Sequence, residues 1–212
     1  MDSIDYKKLY ALQDKVMDVV FETEHEFYLT GGTCLSRFYI EKRYSDDLDF
    51  FTNASMRYSF AVKNIKIALS RLFDLTVEVE SKDFTRFRVD NLLQIDFVND
   101  IAERYKDVVI LENNYIIDNV ENILSNKLTA VIGRDNPKDV FDIYLIAKYY
   151  TFSWNDILQS AHRKAGFSND ELLVRLKSFP TILLNSINTI DTDFLKSFNK
   201  EFPIIIEKLT KQ

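Results

Sequence analysis

Only four glycines occur in the 212 residues of this chain, and two of them are adjacent: Gly31-Gly32 separates an apolar run from a helical pattern. Two glycines in a row permit backbone angles and close approaches that side chains forbid, so the chain is expected to turn there. Upstream, Phe27-Tyr28-Leu29 reads as a short strand; downstream, Leu35, Phe38 and Tyr39 fall along one side of a helix for which Thr33 is the expected N-cap. Before the strand, Leu9, Leu12, Val16, Val19 and Val20 recur at helical intervals over residues 5–24. The expected opening is therefore helix, strand, glycine turn, helix. A turn of that kind can present backbone N–H groups to phosphate oxygens, although a lone Gly-Gly serves equally well as a tight turn needing positive φ.

The remainder divides by period. Asp47-Leu48-Asp49-Phe50-Phe51 alternates as a strand does, and residues 55–71 return to a helical stripe of Ala61, Ile65, Ala68 and, just beyond, Leu72. Three more alternating runs begin at Leu75, Thr85 and Leu92, the last two joined at Asp90-Asn91 in the manner of a hairpin. From about residue 119 the pattern is helical: Val120, Leu124, Leu128 and Val131, then a helix after Pro137, then segments near 153–165, 169–179 and 191–209, with Pro180 and Pro203 expected to block or restart helices. This predicts an α+β fold, with a mixed sheet and flanking helices over residues 1–115 and a helical lobe packed on it over residues 116–212.

Composition excludes several classes. At 46% hydrophobic and 14% aromatic content the chain can bury a core. No apolar run approaches the ~20 residues of a membrane span, and the N-terminal residues lack a secretory pattern, so a soluble, cytoplasmic protein without membrane partners is expected. The single cysteine, Cys34, offers no intramolecular disulfide, and no Cys/His cluster has zinc-ligand spacing. A formal charge of −6 argues against broad affinity for nucleic acid, so any RNA contact must be local.

Residues two apart on a strand share a face, which places the carboxylates of Asp47 and Asp49 together and Leu48 and Phe50 opposite. Like charges so close call for a cation, and Mg²⁺ takes one or two carboxylates plus substrate phosphates; a solvated edge strand also accommodates Asp-x-Asp. Asp96 lies on the face opposite Leu93, Ile95 and Phe97. If its strand neighbours Asp47 and Asp49, three carboxylates converge, enough for two metal ions, with Asp96 also placed as a general base; an ordinary strand carboxylate is the competing reading. Lys127 flanks an apolar helical face, either snorkelling to water or standing over a triphosphate. Asp139 suits the start of its helix, whereas Asp142, set among Val140, Phe141, Ile143 and Tyr144, needs a cationic partner such as Lys127, Arg134 or Lys138. Cys34, His25 and His162 carry no nucleophile signature.

The segments Leu29-Thr30-Gly31-Gly32-Thr33-Cys34-Leu35, Arg43-Tyr44-Ser45-Asp46-Asp47-Leu48-Asp49-Phe50-Phe51 and Lys127 through Tyr144, in this order and spacing, resemble the AbiEii/AbiGii toxin group of nucleotidyltransferases. The resemblance implies the polymerase-β-like nucleotidyltransferase fold, Mg²⁺, a nucleoside triphosphate donor and an antitoxin encoded nearby. It implies phosphate binding by Gly31, Gly32 and Ser45, metal binding by Asp47 and Asp49, a nucleotide contact by Lys127, and membership of Asp142 in the last acidic element. The turn of the wider superfamily is commonly Gly-Ser; here Gly32 removes that hydroxyl, for which Thr33 or Ser45 would substitute. The expected acceptor is RNA, such as the tRNA 3′ end. The alternatives are a small molecule such as an aminoglycoside, or a non-catalytic binding module.

Overall fold

The computed structural model describes residues 4–190 and 193–211. It resolves into two compact units that alternate along the chain: residues through Cys34, Ser45–Ala102 and Asp107–Asp118 form the first, and Leu35–Tyr44, Glu103–Lys106 and Asn119 onward form the second. The units are thus interleaved in sequence, whereas the sequence pattern suggests a single change of architecture near residue 115.

In the first unit, helix α1 (Tyr6–Thr23) starts at Asp5, whose side chain accepts from the Lys8 N–H at 3.1 Å. Its buried face is Leu9, Gln13, Val16, Met17, Val20 and Phe21. Leu12 and Val19, expected on that stripe, lie at its margins and are half-buried. Strand β1 (Tyr28–Thr30) runs directly into helix α2 (Gly31–Phe38). Strand β2 (Asp47–Asn53) alternates between buried and half-buried residues along its length. Helix α3 (Tyr58–Ser70) buries Tyr58, Ala61, Val62, Ile65 and Leu69, and ends before Leu72, which is exposed.

Strands β3 (Leu75–Glu80), β4 (Phe84–Val89) and β5 (Leu93–Asp100) follow. Asp90 and Asn91 join β4 to β5 with φ of 51° and 53°, and the Leu92 N–H closes the turn on the Val89 carbonyl at 3.0 Å. Positive φ at both central positions matches the twist of the flanking strands. Two further strands, β6 (Val109–Ile110) and β7 (Ile116–Ile117), complete a seven-stranded mixed sheet in the order β3-β4-β5-β2-β1-β7-β6. Pairs β2/β5 and β1/β7 are parallel and the others antiparallel.

One face of the sheet is apolar. Leu48, Phe50, Phe87, Ile95 and Phe97 are fully buried there, with Phe50 stacked on Phe97 at 5.3 Å and met edge-on by Phe21 of α1 at 5.6 Å. Because side chains alternate, burial of this set turns Asp47, Asp49, Gln94 and Asp96 to the other face.

The second unit is helical: α4 (Val120–Gly133), α5 (Pro137–Tyr149), α6 (Trp154–Lys164), α7 (Asn169–Ser178), a 3₁₀ turn Thr181–Ser186, and α8 (Phe194–Thr210). Asn119, Asn136, Ser153 and Ser168 cap the first four, each accepting from a backbone N–H of the opening turn. Pro180 does end the α7 region, but Pro203 lies inside α8 and does not restart it. Proline there forfeits one intrahelical bond, and burial of Phe198, Phe202, Ile205, Ile206 and Leu209 on one stripe carries the helix through. The sequence pattern starts this last helix at residue 191; residues 191 and 192 lie outside the described residues.

Candidate active site

The carboxylates of the first unit are arranged by strand register. Asp49 lies between Thr30 of β1 and Asp96 of β5, and Asp96 lies beside Arg86 of β4, so Thr30, Asp49, Asp96 and Arg86 form one row across four strands. Asp47 pairs with Gln94 in the next row. The condition set in sequence, that the strand of Asp96 neighbours that of Asp47 and Asp49, holds at the level of the backbone.

The side chains add a partner that periodicity does not reveal. Arg86 grips Asp96 with two parallel bonds, Nε to Oδ1 at 2.7 Å and Nη2 to Oδ2 at 2.6 Å, and Gln94 Nε2 reaches Oδ2 at 3.3 Å. This fork geometry is the strong form of the ion pair. It holds the Arg86 pKa above its ordinary value, first through the bonds to Asp96 and further through the charges of Asp96, Glu78 and Asp49. Asp96 thus accepts both arms of a guanidinium, and among the described residues no group of three Asp, Glu, His or Cys side chains converges to hold a metal ion. On this face of the sheet β2 presents Asp47 and Asp49 in adjacent rows, beside Gln94 and Asp96 of β5.

Gly31 has φ +70°, and a Cβ built there would collide with the Asp49 carboxylate, standing 3.2 Å from its Cγ. Only glycine lets the start of α2 approach Asp49 so closely. The helix begins at Gly31 itself, so Thr33 lies inside it and is not its N-cap as the sequence suggests; Gly31 makes the turn in the left-handed region. Thr33 is buried, and its hydroxyl donates to the Asp47 carbonyl, which spends its single proton on the backbone of β2. Gly32 is buried one residue into the helix.

The segment leading into β2 is held from α1. The Ser45 N–H donates to the Tyr10 hydroxyl at 3.1 Å, Gln13 Nε2 donates to the Ser45 carbonyl at 3.1 Å, and the Tyr6 hydroxyl donates to Asp46 Oδ1 at 2.8 Å. On the far side of β1, buried Asp118 accepts from the Thr30 hydroxyl at 2.6 Å, and its own N–H donates to the Leu29 carbonyl at 2.8 Å. Cys34 lies against the Asp118 backbone, and burial pushes its thiol pKa well up, the opposite of what a nucleophile needs.

In the second unit Lys127, Asp139 and Asp142 do come together. Lys127 Nζ lies 2.7 Å from Asp139 Oδ1 and 2.9 Å from Asp142 Oδ2. Arg134 Nε holds the other Asp139 oxygen at 2.6 Å. Arg43, 2% exposed, binds both Asp142 oxygens at 2.7 and 2.8 Å. Burial opposes ionisation in this network, and the neighbouring charges outweigh it: Arg43 and Lys127 hold Asp142 below the ordinary carboxylate range, Lys127 and Arg134 do the same for Asp139, and Asp142 and Asp139 hold Lys127 above its usual value.

The family model described as the nucleotidyl transferase AbiEii toxin of type IV toxin–antitoxin systems matches residues 17–204. The chain belongs to the AbiEii nucleotidyltransferase toxin family. No curated protein matches it by sequence. Among solved structures it is similar to JHP933 from Helicobacter pylori, at 21% identity and a TM-score of 0.61 over 100% of this chain and 94% of that one. It is also similar to MenT4, a nucleotidyltransferase toxin from Mycobacterium tuberculosis H37Rv, at 13% identity and a TM-score of 0.53 over 97% and 93% of the two chains. The α+β architecture is therefore the nucleotidyltransferase fold followed by a C-terminal helical region, and this AbiEii chain is a nucleotidyltransferase.

Four partners of the AbiEii motif residues are not singled out by sequence pattern. Nothing local marks Arg86, which is paired across strands, and although Arg43 opens a quoted motif, its partner Asp142 lies some hundred residues away. Asp118 sits at the end of a strand two residues long. Gln13 alone carried a signal: it stands four residues from both Leu9 and Met17, a polar side chain on a buried stripe.

Proposed function

We propose that this AbiEii toxin transfers a nucleotidyl group from a Mg²⁺-bound nucleoside triphosphate to the 3′ end of an RNA, with tRNA as the acceptor. The observation that carries the reading is the approach of the Gly31 turn to Asp49: one small region offers carboxylates for a cation and the N-terminal amides of α2 for phosphate oxygens. Asp47 and Asp49 would hold the ion, and the ion would supply charge neutralisation of the triphosphate and of the leaving pyrophosphate. Gly31 and Gly32 would admit phosphate by lacking side chains. Ser45, 2% exposed and with its backbone bonded to Tyr10 and Gln13, fixes the entry to β2. Thr33 contributes by fixing the Asp47 backbone, its hydroxyl proton being used there.

The resemblance gives Lys127 to the nucleotide and Asp142 to the last acidic element. In the structure both belong to one ionic network, and we assign them the ordering of α4 and α5 around the Arg43 segment, which precedes Ser45 in the chain. A cognate antitoxin is the partner that membership of a type IV toxin family supplies to this reading.

The acceptor is tested by incubating the purified protein with Mg²⁺, each α-labelled triphosphate in turn and either total RNA or an aminoglycoside. The proposal expects label in the tRNA fraction and none on the drug. Label on the drug alone would replace RNA by a small acceptor, and absence of any acceptor labelling with all four nucleotides would contradict the proposal.

A further inference from the structure

Two glycines in succession make a turn that the backbone alone holds poorly, because glycine has more conformational freedom to lose than any other residue. A turn that receives phosphate therefore gains from being fixed from outside. Asp118, which follows β7, does so at three points, all within the first unit. Strand β7 runs parallel to β1 with Ile117 beside Leu29, so the next residues, Asp118 and Thr30, stand side by side. The Thr30 hydroxyl donates to Asp118 Oδ2 at 2.6 Å, the Asp118 N–H donates to the Leu29 carbonyl at 2.8 Å, and the Cys34 thiol meets the Asp118 carbonyl at 3.8 Å. Leu29 and Thr30 precede Gly31-Gly32 and Cys34 follows it, so one residue brackets the turn from both ends. Asp118, Leu29 and Cys34 are fully buried and Thr30 nearly so, which keeps water from competing for these bonds. Burying a carboxylate this completely is costly, and a strand end that needed only packing would be served by an apolar side chain.

We propose that Asp118 is a positioning residue for the triphosphate: through Thr30 it sets the place and angle of the Gly31-Gly32 turn, and with it the amides at the start of α2 that meet phosphate oxygens. The proposal rests on the reading of that turn as the seat of the triphosphate. Asp118 itself touches no substrate. On the other side of the glycines the Thr33 hydroxyl is bonded to the Asp47 carbonyl, so the hydroxyls flanking the turn are anchored to different strands, one beyond β7 and one on β2. Loss of the Thr30 bond frees one side of the turn and leaves the other held, so its effect falls on phosphate binding more than on the fold. Amides that bind phosphate alike in the ground and transition states act on KM more than on kcat.

The test is equilibrium dialysis of the protein against each of the four α-labelled nucleoside triphosphates with Mg²⁺, with thermal melting of each variant as the folding control. The wild-type protein is expected to bind at least one triphosphate at a site lost in Gly31→Ala. Thr30→Val, nearly equal in shape, should bind that triphosphate on the order of tenfold more weakly, the loss expected when one hydrogen bond to a charged partner disappears. Thr30→Ser, which keeps the hydroxyl, should stay within about threefold of wild type. The double variant Thr30→Val/Asp118→Asn removes both partners of the bond and leaves no carboxylate short of a donor; it should melt closer to wild type than Thr30→Val does, yet bind the triphosphate no more tightly. It therefore carries the comparison even where Thr30→Val folds poorly. Wild-type affinity in Thr30→Val, a loss in Thr30→Ser as large as in Thr30→Val, or affinity restored in the double variant would overturn the proposal while leaving the turn as the seat of the triphosphate. Equal binding by wild type and Gly31→Ala would overturn that reading and the proposal with it.

Discussion

Gly31 and Asp142 are the residues at which a single change has the sharpest expected consequence. Gly31→Ala meets two penalties at once, a left-handed backbone that costs an alanine about 1–2 kcal/mol and a Cβ driven into the Asp49 carboxylate; it should lower the melting temperature and reduce nucleotidyl transfer at least tenfold, measured by calorimetry and by labelled-acceptor assay. Asp142→Asn leaves Arg43 buried without its charge partner and should destabilise the protein by about 3–5 kcal/mol in denaturant titration. The same network fixes a pH dependence. Asp139 and Asp142 have folded pKa values below their ordinary 3.8, so their contribution is complete above that value and is lost as pH falls through the lower folded ones. Lys127, raised above 10.5, contributes fully below that value and loses its contribution as pH rises through the higher folded one. Melting temperature plotted against pH should therefore fall on both sides of a plateau between roughly pH 4 and 10, and Asp142→Asn should flatten part of the acid limb. Asp47 and Asp49 were legible because a strand's period of two needs no knowledge of neighbours. The Arg86 grip on Asp96 was not, since it depends on which strand pairs with β5 and in what register.

At the scale of elements, β2 links the apolar side of the sheet to its carboxylate side, so a cavity on one face should be felt on the other. Phe50→Ala removes a ring stacked on Phe97 and capped by Phe21, and is expected to cost about 3–5 kcal/mol while also reducing transfer, read by chemical denaturation and by activity on the folded fraction. The long helices and the alternating strands were visible in sequence because their apolar stripes repeat over several turns or residues. Strands β6 and β7 escaped because two residues cannot display an alternation, and their place is set by pairing of β7 with β1 and of β6 with β7. Pro203 misled for a related reason: local propensity argues for a break, and the buried stripe of α8 from Phe198 to Leu209 overrides it. The Thr33 cap failed because α2 already begins at Gly31, two residues earlier.

For the molecule as a whole, the alternation of two units along the chain means that Leu35–Tyr44 joins the helical unit even though it lies between two motifs of the sheet unit. Sequence periodicity records local structure and cannot show such an exchange. No described helix is long and apolar enough to cross a membrane, and the net charge of −6 leaves nucleic-acid recognition to local contacts. The central claim is that Asp47 and Asp49 support transfer of a nucleotidyl group, and the fate of the phosphorus atoms tests it most directly. With Mg²⁺, a triphosphate labelled at the α-phosphate should leave its label covalently on the acceptor, whereas one labelled at the γ-phosphate should release it all as pyrophosphate. A folded Asp49→Ala variant should do neither, with a loss of at least about 100-fold. Transfer of the γ label to the acceptor, or undiminished α labelling by Asp49→Ala, would contradict the account.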